Sequence, residues 1–257
     1  MSIAKLRIYL HIIDKQQQQQ ECDDSLYSRL KKTVPLYLQY RNQLSSDEDN
    51  WCRSILFAEE RHISPPISRR IYDNKIVPAI YERRSVRKWD DKPVAKSDCV
   101  MLADAMRWAP SSCNRQAMEM LVVRSKDKIL QLSQQKSQKF IEKASTCIIT
   151  LLDKSAYKNT KNNALRTYFY YMDSGMAIQN LLLQAHQSGI GACMVNVIPD
   201  VDEVKIRAWF KIPDNYLITG IIPIGYYSHS VNAPARKSIE GVVHYEDWVA
   251  DSSSHSE

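Results

Sequence analysis

The chain has 257 residues, 44% of them hydrophobic and 25% charged, a composition that fits a globular protein and excludes a disordered or fibrous one. The net charge of +6 is mild, and its basic residues are scattered outside one cluster at 83–88; with no recognition motif in view, nucleic acid is not an expected partner. No stretch approaches the roughly 20 apolar residues of a spanning helix, so no membrane partner is expected either.

The first apolar run, Leu6 to Ile13, is interrupted by Arg7 and His11 and has no cleavage-site pattern behind it. The cysteines Cys22, Cys52, Cys99, Cys113, Cys147 and Cys193 form no Cys-x-x-Cys pair and have no histidine at zinc spacing. Free thiols in a reducing compartment, a cytoplasmic location and no metal are the expectations.

Residues 1–75 read as an N-terminal helical extension without a catalytic motif, packing on the domain or on a partner subunit. Five glutamines at 16–20 form an exposed low-complexity patch. Leu26 to Leu44 has partly helical apolar spacing, but Pro35 argues against one unbroken helix. Ser45 to Asp49 reads as a break or a helix start. A short helix over Trp51 to Arg61 is stopped by Pro65-Pro66.

Residues 76–250 read as one domain, with a flexible tail at 251–257. Val77 to Glu82 is expected to be a helix running into the basic cluster. Ser97 can cap a helix through Trp108, which Pro110 ends. Met120–Val123, Thr146–Leu152, Ala192–Val197 and Leu217–Ile224 read as strands. Asp127–Lys143 is a polar helical segment. Lys154–Asn163 is a polar loop that could cap a site. Leu165–Gln187 is a long central helix, apolar almost all round in its second half, with Gly189 at its C′ position. Asp200 is the expected cap of a helix through Phe210.

Two segments carry chemistry. Arg83, Arg84, Arg87 and Lys88 place four cations in six positions around Ser85. That is either a solvated cationic turn or a phosphate cradle, since guanidinium forks grip phosphate bidentately. After Pro110 come Ser111-Ser112-Cys113-Asn114-Arg115-Gln116. Asn114 and Gln116 are either turn residues or amides that match the donor and acceptor edge of a planar ring. Cys113 is small-residue filler or a thiol near the site, and His186 is a core or interface residue. Gly189-Ile190-Gly191 follows a helix and opens a strand, the reverse of a dinucleotide-binding loop. His-Glu-x-x-His, Walker and Gly-x-Ser-x-Gly patterns are absent from the sequence.

Arg83 to Arg87 and Ala109 to Gln116 resemble the two N-terminal signatures of the FMN-dependent nitroreductase family. Asp173 to His186, Gly189 to Cys193, and Pro223-Ile224-Gly225-Tyr226 with Arg236-Lys237 behind it resemble later segments in the same order. The resemblance covers roughly residues 78–248. It implies an α+β fold: a mixed, largely antiparallel sheet flanked by helices, dimerised through the Leu165–Gln187 helix. By resemblance, Arg83, Arg84, Ser85 and Arg87 hold the FMN phosphate and ribityl chain, joined by Arg236 and Lys237. Asn114 and Gln116 would reach the flavin ring from the neighbouring subunit of a homodimer. Asn196 and Val197 would offer backbone groups to the flavin N5 region.

The implied activity is ping-pong electron transfer from NADH or NADPH through FMN to a small organic acceptor such as a nitroaromatic or quinone, with no catalytic side chain named. Two positions depart from the family pattern. Ala117-Met118 stands where a proline and an aromatic usually follow the glutamine, and Asn196 stands where a Glu or Gly pair is frequent. Two other readings stay open: a pathway-specific biosynthetic flavoenzyme, and a non-catalytic interaction protein on a degenerate scaffold.

Overall fold

The computed structural model describes residues 6, 10, 12, 13, 24–44, 46–56, 77–198, 201–237, 239 and 242–248. The glutamine run, the helix end expected beyond Leu56, the proline pair, the Asp200 cap and the tail lie outside the described residues. The chain divides into two compact units: Met1–Pro78 with Asn232–Glu257, and Ala79–Val231.

The first unit contains α1 (Asp24–Tyr40) and α2 (Ser46–Leu56), linked through a 3-10 turn at Arg41–Gln43. Pro35 does not break α1, contrary to expectation. It lies on the exposed face, where water can take the carbonyl that loses its donor. Its neighbours Thr33, Leu36 and Tyr37 are buried and hold the helix by packing. Leu6, Leu10, Ile13, Leu36, Tyr37, Cys52 and Ile55 form the unit's own core, and Ala235 of the C-terminal segment packs against it.

The second unit runs α3 (Pro78–Glu82), α4 (Lys96–Arg107), β1 (Met118–Val123), α5 (Lys126–Lys136), β2 (Thr146–Asp153), α6 (Asn163–Gln187), β3 (Ile190–Ala192), α7 (Glu203–Phe210) and β4 (Tyr216–Tyr226). The strand order is β1-β2-β4-β3, and every pairing is antiparallel. One parallel bridge, Ser85 to Ala192, makes the sheet mixed. The architecture is the expected α+β.

β2 is buried along all but its last residue. A central strand covered on both faces reads as an unbroken apolar run, which is why Thr146–Leu152 is legible without alternation. On one face Leu102 and Met106 of α4 and Ala177, Ile178 and Leu181 of α6 pack on Ile148, Ile222 and Ile224. On the other, Ile129 and Leu132 of α5, Phe140 and Ile206 pack around Cys147, Ile149 and Ile221.

Several boundaries move from their expected places. α4 starts at Lys96 with Ala95 as an N-cap that makes no side-chain bond, so Ser97 falls inside it. The Asp127–Lys143 segment is cut at Ser137, which turns left-handed at φ 49°. A 3-10 turn at Lys139–Lys143 then delivers Phe140 and Ile141 to the core. The third strand ends at Ala192, and Val195 returns as a single bridge to Ile221. Among the described residues, no helix is long and apolar enough to cross a membrane.

Candidate functional site

The basic cluster leaves α3 and is stitched to the β3 edge of the sheet. Val86 N–H donates to Ala192 O at 3.1 Å and Asp90 N–H to Tyr226 O at 2.8 Å. The buried Trp89 indole N–H donates to Gly191 O at 2.9 Å. Two glycines admit this segment. A Cβ on Gly191 would lie 2.7 Å from Val86 Cγ1, and one on Gly225 would lie 2.9 Å from Trp89. Both distances are too short for any side chain, so the loop sits where it does because these strand positions are bare.

The cations then diverge. Arg84 Nη1 turns back onto Tyr81 O and Arg83 O, at 2.7 and 2.8 Å. Arg87 Nη1 donates to Ser85 O at 3.2 Å, and its guanidinium lies 5.8 Å from the Phe140 ring centroid. Its Nε is buried without a hydrogen-bond partner among the described residues. A buried, unsatisfied donor on a cation carries a desolvation penalty that an anionic ligand removes.

Further along the same edge, Val195 pairs with Ile221 through bonds of 2.8 and 2.9 Å. Asn196 follows, exposed, and Val197 is half-buried against the cluster around Ile221. Their backbone N–H groups donate to nothing among the described residues. Asn196 lies four residues past Ala192, the partner of Ser85, a run of about 13 Å in extended chain.

The segment after α4 is a separate construction. Cys113, Asn114 and Gln116 all have positive φ, at 53°, 53° and 51°, a conformation that non-glycine residues adopt at a cost. A buried carboxylate holds it. Asp173 on α6, 1% exposed, accepts from Ser112 N–H at 3.0 Å and Ser112 Oγ at 2.9 Å. It also accepts from Tyr157 OH at 2.6 Å. Burial and then that carboxylate push the Tyr157 phenol above its ordinary pKa.

Arg115 donates to Ala156 O, Ser112 O and Thr160 Oγ1, and lies over the Tyr157 and Phe169 rings. With Ser112 and Arg115 tied down, Asn114 and Gln116 on either side of Arg115 are left exposed. A shallow hollow beside them is lined by Pro110, Ser111, Gln116, Ala117, Met118 and Asp173, among others. Asp173, Tyr157 and Arg115 are the residues that sequence reasoning missed. The signal for Asp173 was an acid inside the apolar half of a helix, a place where a carboxylate needs partners.

The registers place the two segments apart. Ser85 lies beside Ala192, Ile224 and Thr146 in one row across the sheet. Asn114 and Gln116 precede Met118, which pairs with Leu152 at the far end of β2 and on the opposite edge. Four strand spacings of about 4.8 Å, counting the bridge from β3 to Ser85, and six residues of about 3.3 Å separate those corners. Arg83, Ser85, Arg87, Asn196 and Val197 therefore share one edge, and Asn114 and Gln116 occupy the diagonal corner. Arg236 and Lys237 are exposed in the first unit, with Arg236 Nη1 on Pro234 O and Ala235 O.

The α+β unit has the fold of the nitroreductases. The chain belongs to the nitroreductase family, whose model matches residues 80–143 and 128–226, more than half of it. A protein of Methanothermobacter thermautotrophicus named "Putative NADH dehydrogenase/NAD(P)H nitroreductase" is 28% identical over 73% of this chain and 93% of its own length. An "FMN reductase (NAD(P)H)" of Bacillus subtilis is 24% identical over 68% of this chain and 75% of its own. Among solved structures, an FMN-dependent nitroreductase of Clostridium difficile superposes with a TM-score of 0.56 at 28% identity, covering 67% of this chain and all of the other.

Proposed function

We propose that this chain, an FMN-dependent NAD(P)H oxidoreductase of the nitroreductase family, passes electrons by a ping-pong route to a small organic acceptor such as a nitroaromatic or quinone. The observation that carries the reading is the β3 edge itself. The Arg83–Arg87 loop fixed to the sheet ends in a buried Arg87 Nε that lacks a hydrogen-bond partner among the described residues. About 13 Å along the same edge stand two backbone N–H groups that donate to nothing among the described residues. That separation suits a phosphate at one end of a ligand and a polar ring at the other.

In this reading Arg83, Ser85 and Arg87 hold the phosphate, with Arg84 committed to its own backbone. Asn196 and Val197 offer N–H groups to the ring, where fixed donors stabilise developing negative charge. FMN, when bound, supplies the hydride and electron chemistry. The protein's residues bind and orient.

Asn114 and Gln116 sit at the opposite corner of their own sheet, too far to share a mononucleotide with Ser85 of the same chain. The ring amides of one site would come from the partner subunit, so the active form is a homodimer with two interfacial sites. An uncovered stripe on α6 supports this: Leu165, Tyr168, Met172, Gly175 and Gln179 are all exposed, at the three- and four-residue spacing of a helix–helix seam.

The test is the visible spectrum of the purified protein before and after heat release of its chromophore. The expected result is a flavin spectrum with about one FMN per subunit. A colourless protein that takes up no added FMN removes the oxidoreductase reading in favour of a non-catalytic scaffold.

A further inference from the structure

The best-buried ion pair described in the second unit lies next to the proposed ring-binding segment. Lys136, the last residue of α5, bonds to Asp202, the residue before α7, and their side chains are 6% and 5% exposed. Asp202 Oδ1 also accepts from Gln135 Nε2 at 3.2 Å. Taking two charges out of water is costly, and a pair of apolar side chains of similar volume is often at least as stabilising. The pair therefore calls for a role other than stability.

Its geometry supplies one. Asp202 Oδ2 accepts from Ile198 N–H at 3.1 Å, and Asp202 N–H donates to Ile198 O at 3.1 Å. Both backbone polar groups of Ile198 thus end on one residue. On the other side, both backbone groups of Val195 are bonded to Ile221. Asn196 and Val197 are a two-residue span pinned at each end, and the upstream pin is the central sheet. The downstream pin is a side chain whose own position is set by Lys136 and Gln135. Burial works against ionisation of Asp202, but Lys136, the Ile198 N–H and Gln135 together hold its carboxyl below the usual range. It is therefore a carboxylate, the stronger acceptor, at neutral pH.

We propose that Asp202, held by Lys136, is a positioning residue that fixes the backbone N–H groups of Asn196 and Val197 toward the cofactor ring. Asp202 does not touch the ligand; it acts through Ile198. The inference rests on the FMN reading and adds to it a device for pre-aiming the donors before the ligand arrives, which is where fixed dipoles have their catalytic value.

The test uses the FMN-loaded full chain and the double variant Lys136→Met with Asp202→Leu. The variant replaces the pair with apolar volume and removes the side-chain acceptor of Ile198 N–H. A structural role predicts unchanged behaviour once the protein folds. The positioning role predicts retained FMN, because the phosphate grip is elsewhere, with the rate of flavin reduction by NAD(P)H lowered about tenfold or more. It also predicts a shifted flavin absorption and circular-dichroism spectrum. Should the double variant fail to fold, Asp202→Asn keeps the side-chain volume and weakens the acceptor that faces Ile198 N–H; a smaller loss of rate and a spectral shift in the same direction are expected.

A folded, FMN-loaded variant with the parent's reduction rate and spectrum overturns the inference and leaves the FMN reading standing. A parent chain that takes up no FMN overturns both.

Discussion

Gly191 and Val86 occupy the same space: a Cβ on the glycine would lie 2.7 Å from Val86 Cγ1 and 2.8 Å from Tyr227 Cδ1. Val86 is 1% exposed and cannot swing into solvent without leaving the core. Gly191→Ala must therefore lift the loop that carries Ser85 and Arg87 off the sheet edge. The expected cost is about 1–3 kcal/mol of stability, the usual scale of overpacking. FMN affinity should fall about tenfold or more, because the phosphate ligands move together. Fluorescence titration with FMN and thermal unfolding measure the two effects. A well-folded Gly191→Ala protein with parental affinity would show that the loop's seat on β3 does not set the cofactor site.

Arg83 and Arg87 should carry separable shares of the same affinity. Each charge-assisted contact to phosphate is worth about 1.5–3 kcal/mol, so either alanine variant should weaken FMN binding by roughly ten- to a hundredfold. Arg84→Ala should do much less, since that guanidinium is bonded to Tyr81 O and Arg83 O. Equal losses at Arg84 and Arg87 would mean that the cluster acts as a diffuse field and not as a built cradle.

Asp173→Ala should disorganise the amide loop from beneath. It strands the Tyr157 hydroxyl and the Ser112 N–H and hydroxyl in a part-buried setting, with a penalty of about 1–3 kcal/mol for an orphaned buried donor. The left-handed residues Cys113, Asn114 and Gln116 then lose the anchor that offsets their strain. Denaturant unfolding should report the stability loss. Tyr157→Phe, which removes one of the three donors, should cost less.

Two buried phenols add to the alkaline limit, to which the Cys147 and Cys99 thiols, also raised by burial, contribute as well. Burial and the bonded Asp173 raise the Tyr157 pKa, and burial with Asp49 pushes Tyr37 up to about 12. A raised folded-state pKa gives stability that is complete below the unfolded value, about 10, and is lost as pH climbs through the folded one. The phenols should therefore steepen the fall of unfolding free energy from about pH 10 upward. Tyr37→Phe should flatten the part of that slope belonging to the first unit, and Tyr157→Phe the part belonging to the second. A slope unchanged in both variants would assign the alkaline limit to other groups.

Much of this fold could be read from the residues because the strands are mostly apolar runs and α6 is long and capped. Thr146–Leu152 and Leu165–Gln187 were expected within two residues of the observed β2 and α6. Local signals failed where tertiary packing overruled them. Pro35 stays inside α1 because it faces outward, and Ser137 breaks the expected 127–143 helix by turning left-handed, a choice no propensity for serine requires. At the site, the residue types were legible and their supports were not. Arg83 to Arg87 and Asn114 to Gln116 stand out by composition. The residues that aim them — Gly191, Asp173, Tyr157 and Arg115 — act through distances that sequence spacing does not encode.

The exposed stripe on α6 leads to a last prediction that ties assembly to cofactor. Leu165, Tyr168 and Met172 are 44%, 60% and 39% exposed, and at Gly175 a Cβ would meet nothing within 4 Å, so a second helix can approach that face closely. Light scattering should find a dimer. Tyr168→Glu with Met172→Glu places two charges in the middle of the seam, where desolvation without a partner is strongly unfavourable, and should yield monomers. Because Asn114 and Gln116 serve the partner's site in the proposed arrangement, those monomers should also lose FMN affinity, although neither substituted residue lies in the arginine loop. Mixing a dimer-competent Arg87→Ala chain with an Asn114→Ala, Gln116→Ala chain gives a further outcome. Heterodimers should regain one intact site of two, and flavin content should rise above that of either parent. Monomers with parental FMN affinity would place the amides and the arginine loop in one chain's site, against the diagonal that the sheet register sets between them.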